Sequence, residues 1–503
     1  MKKKVLFLLY ENETGHTLKV AKNLIGLYEP IFFSCDFLCN YTEENPSKKI
    51  LREFGLSKYK FYSIKSDLKK VSQINFSKNV KIDFKYLKVF EKNYLNEKIN
   101  EIILKDFSFN QIYNPRDYNY FPEDKRILYK TSEILIRKIE KLLKSNSFEF
   151  IYSGGKSNFV RNIILQYSIR KNLSYFGPSY RFGITFLDNY SKKNLIKNLI
   201  TSKIKDNVNL FKKYSKNLNS SNKINLNHVY NFKKFFNEFI FYLFKYFNYI
   251  NDWRTNYFLR IDKKKKNYFF NKSVFSVNYF LIRNTIRKIR LENYLKRKSQ
   301  SLINNLPKKF VFYPLHFLPE GGIFDNKELF DEFFLVQQVS KKLPADFTII
   351  VKPHPEIFKK GSEINSYNYY KSFSKIPNVE IISPSVNSLY LIKKSSGVIS
   401  VSSSVGLEAI FYRKNSLNFV ENEFKYLKTF QMINLDNIES QLNTKQNFNF
   451  DFKTIKKFFS YGIDIDIDKF IFKDVRSFEK NHYDVLVEKY LYYFKKNRSK
   501  GWH

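Results

Sequence analysis

Two short segments hold residue types suited to gripping a phosphate. In Lys352-Pro353-His354-Pro355 a cation and an imidazole sit among prolines, which fix the backbone and present His354 rigidly. In Ser402-Ser403-Ser404, followed by Val405-Gly406-Leu407-Glu408-Ala409, hydroxyls line a turn and a helical pattern begins. Serine hydroxyls and the free N–H groups of a helix start both donate to phosphate oxygens. Glu408, one turn further, suits hydrogen bonds from sugar hydroxyls. Each feature also has a plain explanation: His354 as a turn residue, Ser404 as a helix cap, Glu408 as a favourable first-turn charge. Their recurrence at successive predicted strand ends favours one ligand site.

A second group suits proton transfer. Glu11-Asn12-Glu13-Thr14-Gly15-His16 packs two carboxylates and an imidazole into one loop. Glu13 is the first candidate for a general base, and His16 the second. Glu320, in Pro319-Glu320-Gly321-Gly322, is a rival carboxylate. The alternative is that Thr14 merely caps a helix and both glutamates are solvated.

These residues need elements to position them. Phe347–Val351, Val379–Ile382 and Val398–Val401 are short β-branched runs, each followed by a loop and a helical pattern. Such alternation predicts a parallel sheet with crossover helices, whose carboxyl-end loops bind ligands. Phe310–Pro314 adds a strand, with His316 in the loop beyond and a helix over Lys327–Lys342. Near the start, Val5–Tyr10 reads as a buried strand and Thr17–Leu27 as a helix, the opening of a Rossmann-like domain. Leu128–Leu143 predicts an amphipathic helix, Phe148–Tyr152 a strand, Phe159–Lys171 a helix and Leu173–Phe176 a short strand. Ser153-Gly154-Gly155-Lys156-Ser157-Asn158 is a further loop without Walker spacing, and Gly177-Pro178-Ser179-Tyr180-Arg181 reads as a turn.

The strand–KPHP and SSSVGLEA segments, with Phe312-Tyr313-Pro314-Leu315-His316 and Pro319-Glu320, resemble the capsule polysaccharide biosynthesis family, which includes bacterial transferases of ketodeoxyoctonate (Kdo). The resemblance spans about Phe310 to Val420. It implies an α/β glycosyltransferase of GT-B fold: two Rossmann-like domains facing a cleft. It also implies that His354, Ser403 and Ser404 hold the phosphate of a nucleotide-sugar donor; the chemistry of the residues themselves adds Lys352, Ser402 and Glu408 to the same donor site. A CMP-linked acidic sugar is favoured, with UDP- and GDP-sugars open. A polyol-phosphate transferase of teichoic-acid type is the alternative within this fold.

Composition sets the bounds. The chain has 503 residues, with 88 Lys+Arg against 47 Asp+Glu, a formal charge of +41. Such a charge favours anionic surroundings: nucleotides, lipid-linked sugars, phospholipid head groups or nucleic acid. A non-enzymatic basic nucleic-acid-binding protein is therefore the alternative outside the enzyme class, but no helix-turn-helix, zinc-finger or RNP-like pattern is present, so a nucleic-acid partner is not expected. The two cysteines, Cys35 and Cys39, have no matching Cys or His pair nearby, so no zinc site is expected. No Asp-x-Asp pair falls in a cleft loop, which predicts a reaction without a metal or other cofactor. The apolar part of MKKKVLFLLY is too short for a signal peptide, and no uncharged run reaches the length of a membrane span. A cytoplasmic protein is expected, with peripheral contact to the inner membrane face.

Four regions follow. Residues 1–191 form an acceptor domain, and 192–306 a basic, aromatic-rich helical insert. Residues 307–440 form a nucleotide-sugar domain, and 441–503 a helical extension in which Tyr483–Lys496 crosses back to the first domain. Phe232–Ile250 and Arg283–Lys298, basic beside aromatic, suit either an interfacial membrane helix or an ordinary helical layer.

Overall fold

The apolar runs near each predicted domain start become the central strands of two separate parallel-dominated sheets. The structure, a computed structural model, describes residues 2–10, 14–35, 46–67, 80–105, 125–155, 158–181, 184–196, 274–316, 331–357, 367–420, 430–443, 488 and 490–496.

The first sheet contains β1 (Lys4–Leu9), β2 (Glu29–Ser34), β3 (Phe61–Ser63), β4 (Phe148–Ser153), β5 (Ser174–Arg181), β6 (Ile184–Asn189) and β7 (Asn194–Leu195). Their spatial order is β3-β2-β1-β4-β5-β6-β7. The chain winds outward from β1 through β2 and β3, then returns to place β4 on the other side of β1. Strands β1 to β5 run parallel, whereas β5–β6 and β6–β7 are antiparallel. Alternate residues fill opposite faces: Leu6, Leu8 and Ile151 enter one core, and Val5, Phe7, Phe150 and Tyr152 the other. Burial on both faces explains the near-continuous apolar runs.

One expectation here is corrected. Gly177-Pro178-Ser179-Tyr180-Arg181 is not a turn but the second half of β5, paired antiparallel with β6 from Phe176↔Asn189 to Arg181↔Ile184. Pairing of β5 with β4 ends at Phe176. Beyond it β5 is bonded on one side only, an edge position where a proline lacking N–H is tolerated. The glycine is dictated by crowding, because a Cβ at Gly177 would lie 2.4 Å from the Ser153 carbonyl oxygen.

The second sheet contains β8 (Phe310–Pro314), β9 (Thr348–Lys352), β10 (Val379–Ile381), β11 (Gly397–Ser400), β12 (Asn415–Asn418) and β13 (Phe430–Met432). Its order is β10-β9-β8-β11-β12-β13, all parallel. Val311, Tyr313, Ile349, Val351 and Ile399 enter one core; Phe310, Phe312, Ile350 and Val398 enter the other. Two doubly wound Rossmann-like units give the α/β class expected of a GT-B protein.

Two outer helices are informative. Val274–Asn304 includes the basic segment Arg283–Lys298. Its Leu291 and Leu295 are buried against the second sheet, Ser299 Oγ accepts the Ser383 N–H at 2.6 Å, and the Tyr294 hydroxyl lies 2.9 Å from Ser374 Oγ. This stretch is a packed helical layer of the second unit. The terminal helix over 490–496 joins the other unit: Tyr490 and Phe494 lie in the core beneath the first sheet, as a crossing-back helix requires. Phe494 stacks on Phe150 at 4.8 Å. Phe232–Ile250 lies outside the described residues. No helix among the described residues is long and apolar enough to cross a membrane.

Candidate functional site

Strand order locates a crevice in each sheet. In the second, β8–β10 wind one way and β11–β13 the other, so the winding reverses between β8 and β11. Loops leaving the carboxyl ends of those strands separate there and leave room for a ligand. His316 lies in the loop after β8, and Ser402–Ser404 in the loop after β11. Lys352 ends β9 on the next strand over, paired in register with Pro314.

Lys352 is 5% exposed, and its Nζ donates to Ser388 Oγ at 2.5 Å. Burial lowers its pKa to about 8, with the nearby Glu408 carboxylate partly opposing the shift. Two predicted site residues, Lys352 at the end of β9 and Glu408 in the helix Val405–Phe411, therefore lie within electrostatic reach of each other. Ser388, the first residue of the helix Ser388–Lys394, was not singled out in the sequence; its hydroxyl is one of many, and only the fold puts it on a buried cation.

His354 follows Lys352 by two residues and is half-buried, just before the short 3-10 turn Pro355–Ile357. Its carbonyl accepts the Ile357 N–H at 3.2 Å, so the second proline opens a tight turn around it. In the serine loop, Ser402 and Ser403 are half-buried and Ser404 is exposed. Ser403 Oγ accepts the Val405 N–H at 3.2 Å, while its carbonyl takes the Gly406 N–H at 3.1 Å. The Ser404 carbonyl takes the Leu407 N–H at 3.0 Å. Ser404 stands at the cap position of the helix Val405–Phe411, yet its hydroxyl makes no capping bond. The first-turn N–H groups are thus already engaged, and the serine hydroxyls are the groups left to meet a ligand.

The loop is anchored from beneath. Ser400 Oγ donates to Asn418 Oδ1 at 2.9 Å, and Asn418 Nδ2 donates to Ser416 Oγ at 3.1 Å. Gly406 lies over these groups: a Cβ there would sit 2.8 Å from Ser416 Oγ and 3.0 Å from Asn418 Oδ1. Only glycine lets the helix approach β12 this closely.

In the first sheet the winding reverses between β1 and β4. The loop after β1 holds Glu13, which lies outside the described residues, as does Glu320. His16, on the helix Thr14–Leu24, is 6% exposed, and its Nε2 shares a 2.7 Å hydrogen bond with the Tyr152 hydroxyl. Its ring also meets the edge of Tyr490 at 6.4 Å. Burial, aided by the Lys19 charge, lowers its pKa to about 3. A packed, neutral imidazole that binds a proton so weakly fits a core role better than that of a base. Asn158 caps the helix Phe159–Arg170, accepting the Arg161 N–H at 2.8 Å. Arg161, unremarkable in the sequence, is fully buried, with its guanidinium 4.5 Å from the Tyr10 ring centre. Among the described residues no group of three or more His, Cys, Asp or Glu side chains could hold a metal ion.

Residues 323–422 match the family model described as capsule polysaccharide biosynthesis protein. Over this segment the chain is similar to that family. The match covers the KPHP loop, Ser388 and the serine loop, but not Phe312–His316 or Pro319-Glu320, which also carry the resemblance in the sequence. Comparison with curated proteins finds no match. Among solved structures, the chain is similar to the Thermosulfurimonas dismutans KpsC, a beta Kdo 2,4 transferase, at 12% identity over 65% of this chain and 86% of that one, with a TM-score of 0.27. It is also similar to the UDP-GlcNAc 2-epimerase of Methanocaldococcus jannaschii at 12% identity, covering 88% and 94% of the two chains, with a TM-score of 0.24. A third likeness is to Anabaena Alr3699/HepE in complex with UDP and glucose, at 8% identity over 98% and 100%, with a TM-score of 0.22. At such scores neither fold nor activity passes to this chain, and the architecture rests on its own two sheets.

Proposed function

We propose that the protein is a glycosyltransferase of surface or capsular polysaccharide synthesis. It would transfer a sugar from a nucleotide-activated donor, with a CMP-linked acidic sugar favoured, to a glycan or lipid-linked acceptor. The observation that supports this reading is that β9, ending in Lys352, and β11, leading into the serine loop, run parallel and finish at the same edge of the second sheet, inside the family segment. Lys352 and His354 would neutralise the donor phosphate, and the Ser402–Ser404 hydroxyls would donate to its oxygens. Glu408 would accept from the donor's hydroxyls. As the sugar's anomeric bond breaks, negative charge grows on the leaving nucleotide, where these cations and donors are fixed in advance.

The acceptor hydroxyl must lose a proton. Glu13 is proposed as its base, because its loop leaves β1 at the reversal of the first sheet. The same reading places the protein in the cytoplasm, with its positive charge toward anionic lipid.

A panel of CMP-, UDP- and GDP-sugars screened for thermal stabilisation tests the reading. One donor class should raise the melting temperature, and Glu13→Gln should keep that shift while losing transfer. No stabilisation by any donor would overturn the assignment; normal turnover in Glu13→Gln would move the base elsewhere.

A further inference from the structure

The loop after β8 carries a buried histidine–carboxylate pair to which the reading above gives no role. His316 is clasped twice by Glu332, the first residue of the helix Glu332–Lys342: its backbone N–H donates to Oε2 at 2.9 Å, and its Nδ1 lies 2.9 Å from Oε1. The His316 side chain is 9% exposed and that of Glu332 1%. A carboxylate so withdrawn from water holds the ring proton on Nδ1 and stabilises the imidazolium when Nε2 gains a second proton. The pair is joined to the donor site through the backbone: the Leu315 N–H donates to the Lys352 carbonyl at 2.8 Å. It also occupies one lip of the β8–β11 crevice, opposite the serine loop.

We propose that His316, backed by Glu332, is a further phosphate-holding side chain of the donor site, taking up a proton as the nucleotide binds. This rests on the donor-site reading above. The buried carboxylate supports a cation, while the strand reversal puts that cation where a phosphate is expected, beside Lys352. The pairing resembles a carboxylate-oriented imidazole in acid–base sites, where the carboxylate fixes tautomer and ring direction. The other titratable groups around the pair are Tyr313 on β8 and Tyr369 on the helix Tyr367–Phe373, both facing Glu332 and pushed well above the ordinary tyrosine range by burial and by that carboxylate. Among the described residues, Tyr370 beside Tyr369, Asp331 beside Glu332, and Lys352 with His354 on the adjacent strand and loop are the further such groups. Lys352 and His354 could also exchange protons as a nucleotide binds, and Lys352→Met and His354→Gln controls separate them from the pair.

The test is calorimetric titration of UDP, CMP and the stabilising nucleotide sugar at pH 7.5, in buffers of differing ionisation heat, with wild type, His316→Gln and Glu332→Gln. Wild type should take up protons on binding. His316→Gln should bind about tenfold more weakly, as loss of a charged hydrogen bond implies, with smaller proton uptake. Glu332→Gln should change the uptake as well; a purely structural clasp would lower the melting temperature of this variant and leave uptake as in wild type. That result, or wild-type affinity and uptake in His316→Gln, overturns the proposal while leaving the donor site standing. Should wild type bind none of the probes, the donor-site reading itself falls.

Discussion

At the scale of single residues, Lys352 decides most. Its burial is unfavourable to the fold and useful to a phosphate. The folded side chain titrates at about 8 against an ordinary 10.5. Between those values the unfolded chain binds more protons, so this group makes stability rise with pH across the window; its full cost is present below pH 8 and is lost as pH approaches 10.5. Lys352→Met should therefore melt no lower than wild type at pH 7, with any advantage fading near pH 10.5, because a buried charge gives way to a hydrophobe of similar length. The same variant should lose nucleotide affinity. Differential scanning calorimetry across pH, with nucleotide titration, checks both; a large destabilisation at pH 7 would mean that Lys352 is chiefly a structural anchor. The lysine was legible in the KPHP motif, but its hold on Ser388 was not, since residues 36 positions apart meet only through the sheet.

At the scale of elements, what could be read from the sequence followed hydrophobic pattern. Strands β1, β4, β8, β9 and β11 are β-branched or aromatic runs buried on both faces, and their periodicity announces them. Strand β12 reads Asn-Ser-Leu-Asn, which no hydrophobic rule marks as a strand. It is buried because Asn418 and Ser416 satisfy one another and Ser400 across the sheet, a pairing that requires the neighbouring strand. In β5, Gly-Pro signals a turn locally, whereas one-sided pairing lets it remain a strand. The serine loop was legible as a strand end, but which of its donors are already engaged emerged only from the geometry. The terminal helix gives a direct test of an element's contribution. Phe494 is fully buried and stacked on Phe150, so Phe494→Ala should destabilise the first unit by about 3 kcal/mol, as emptied aromatic sites do. Chemical denaturation measures it; a change within experimental error would show that the helix is dispensable to that core.

At the scale of the whole molecule, the formal charge of +41 belongs to no single site. The basic helix Val274–Asn304 turns Leu291 and Leu295 into the second unit and leaves Arg290 and Arg297 exposed. On the proposed reading this charge brings the enzyme to lipid-linked acceptors. The protein should then sediment with anionic vesicles and be released at high salt, since screening shortens the reach of exposed charges. Equal partition onto neutral and anionic vesicles, or onto neither, would count against that role. The central claim is narrower: the second sheet's β8–β11 reversal holds the donor phosphate through the serine hydroxyls. The most direct measurement is the affinity of the stabilising nucleotide sugar for wild type and for the Ser403→Ala/Ser404→Ala double variant by isothermal titration. We predict binding weaker by at least about tenfold with an unchanged fold, the loss of two hydrogen bonds to a charged group; equal affinity in a folded double variant would contradict the account.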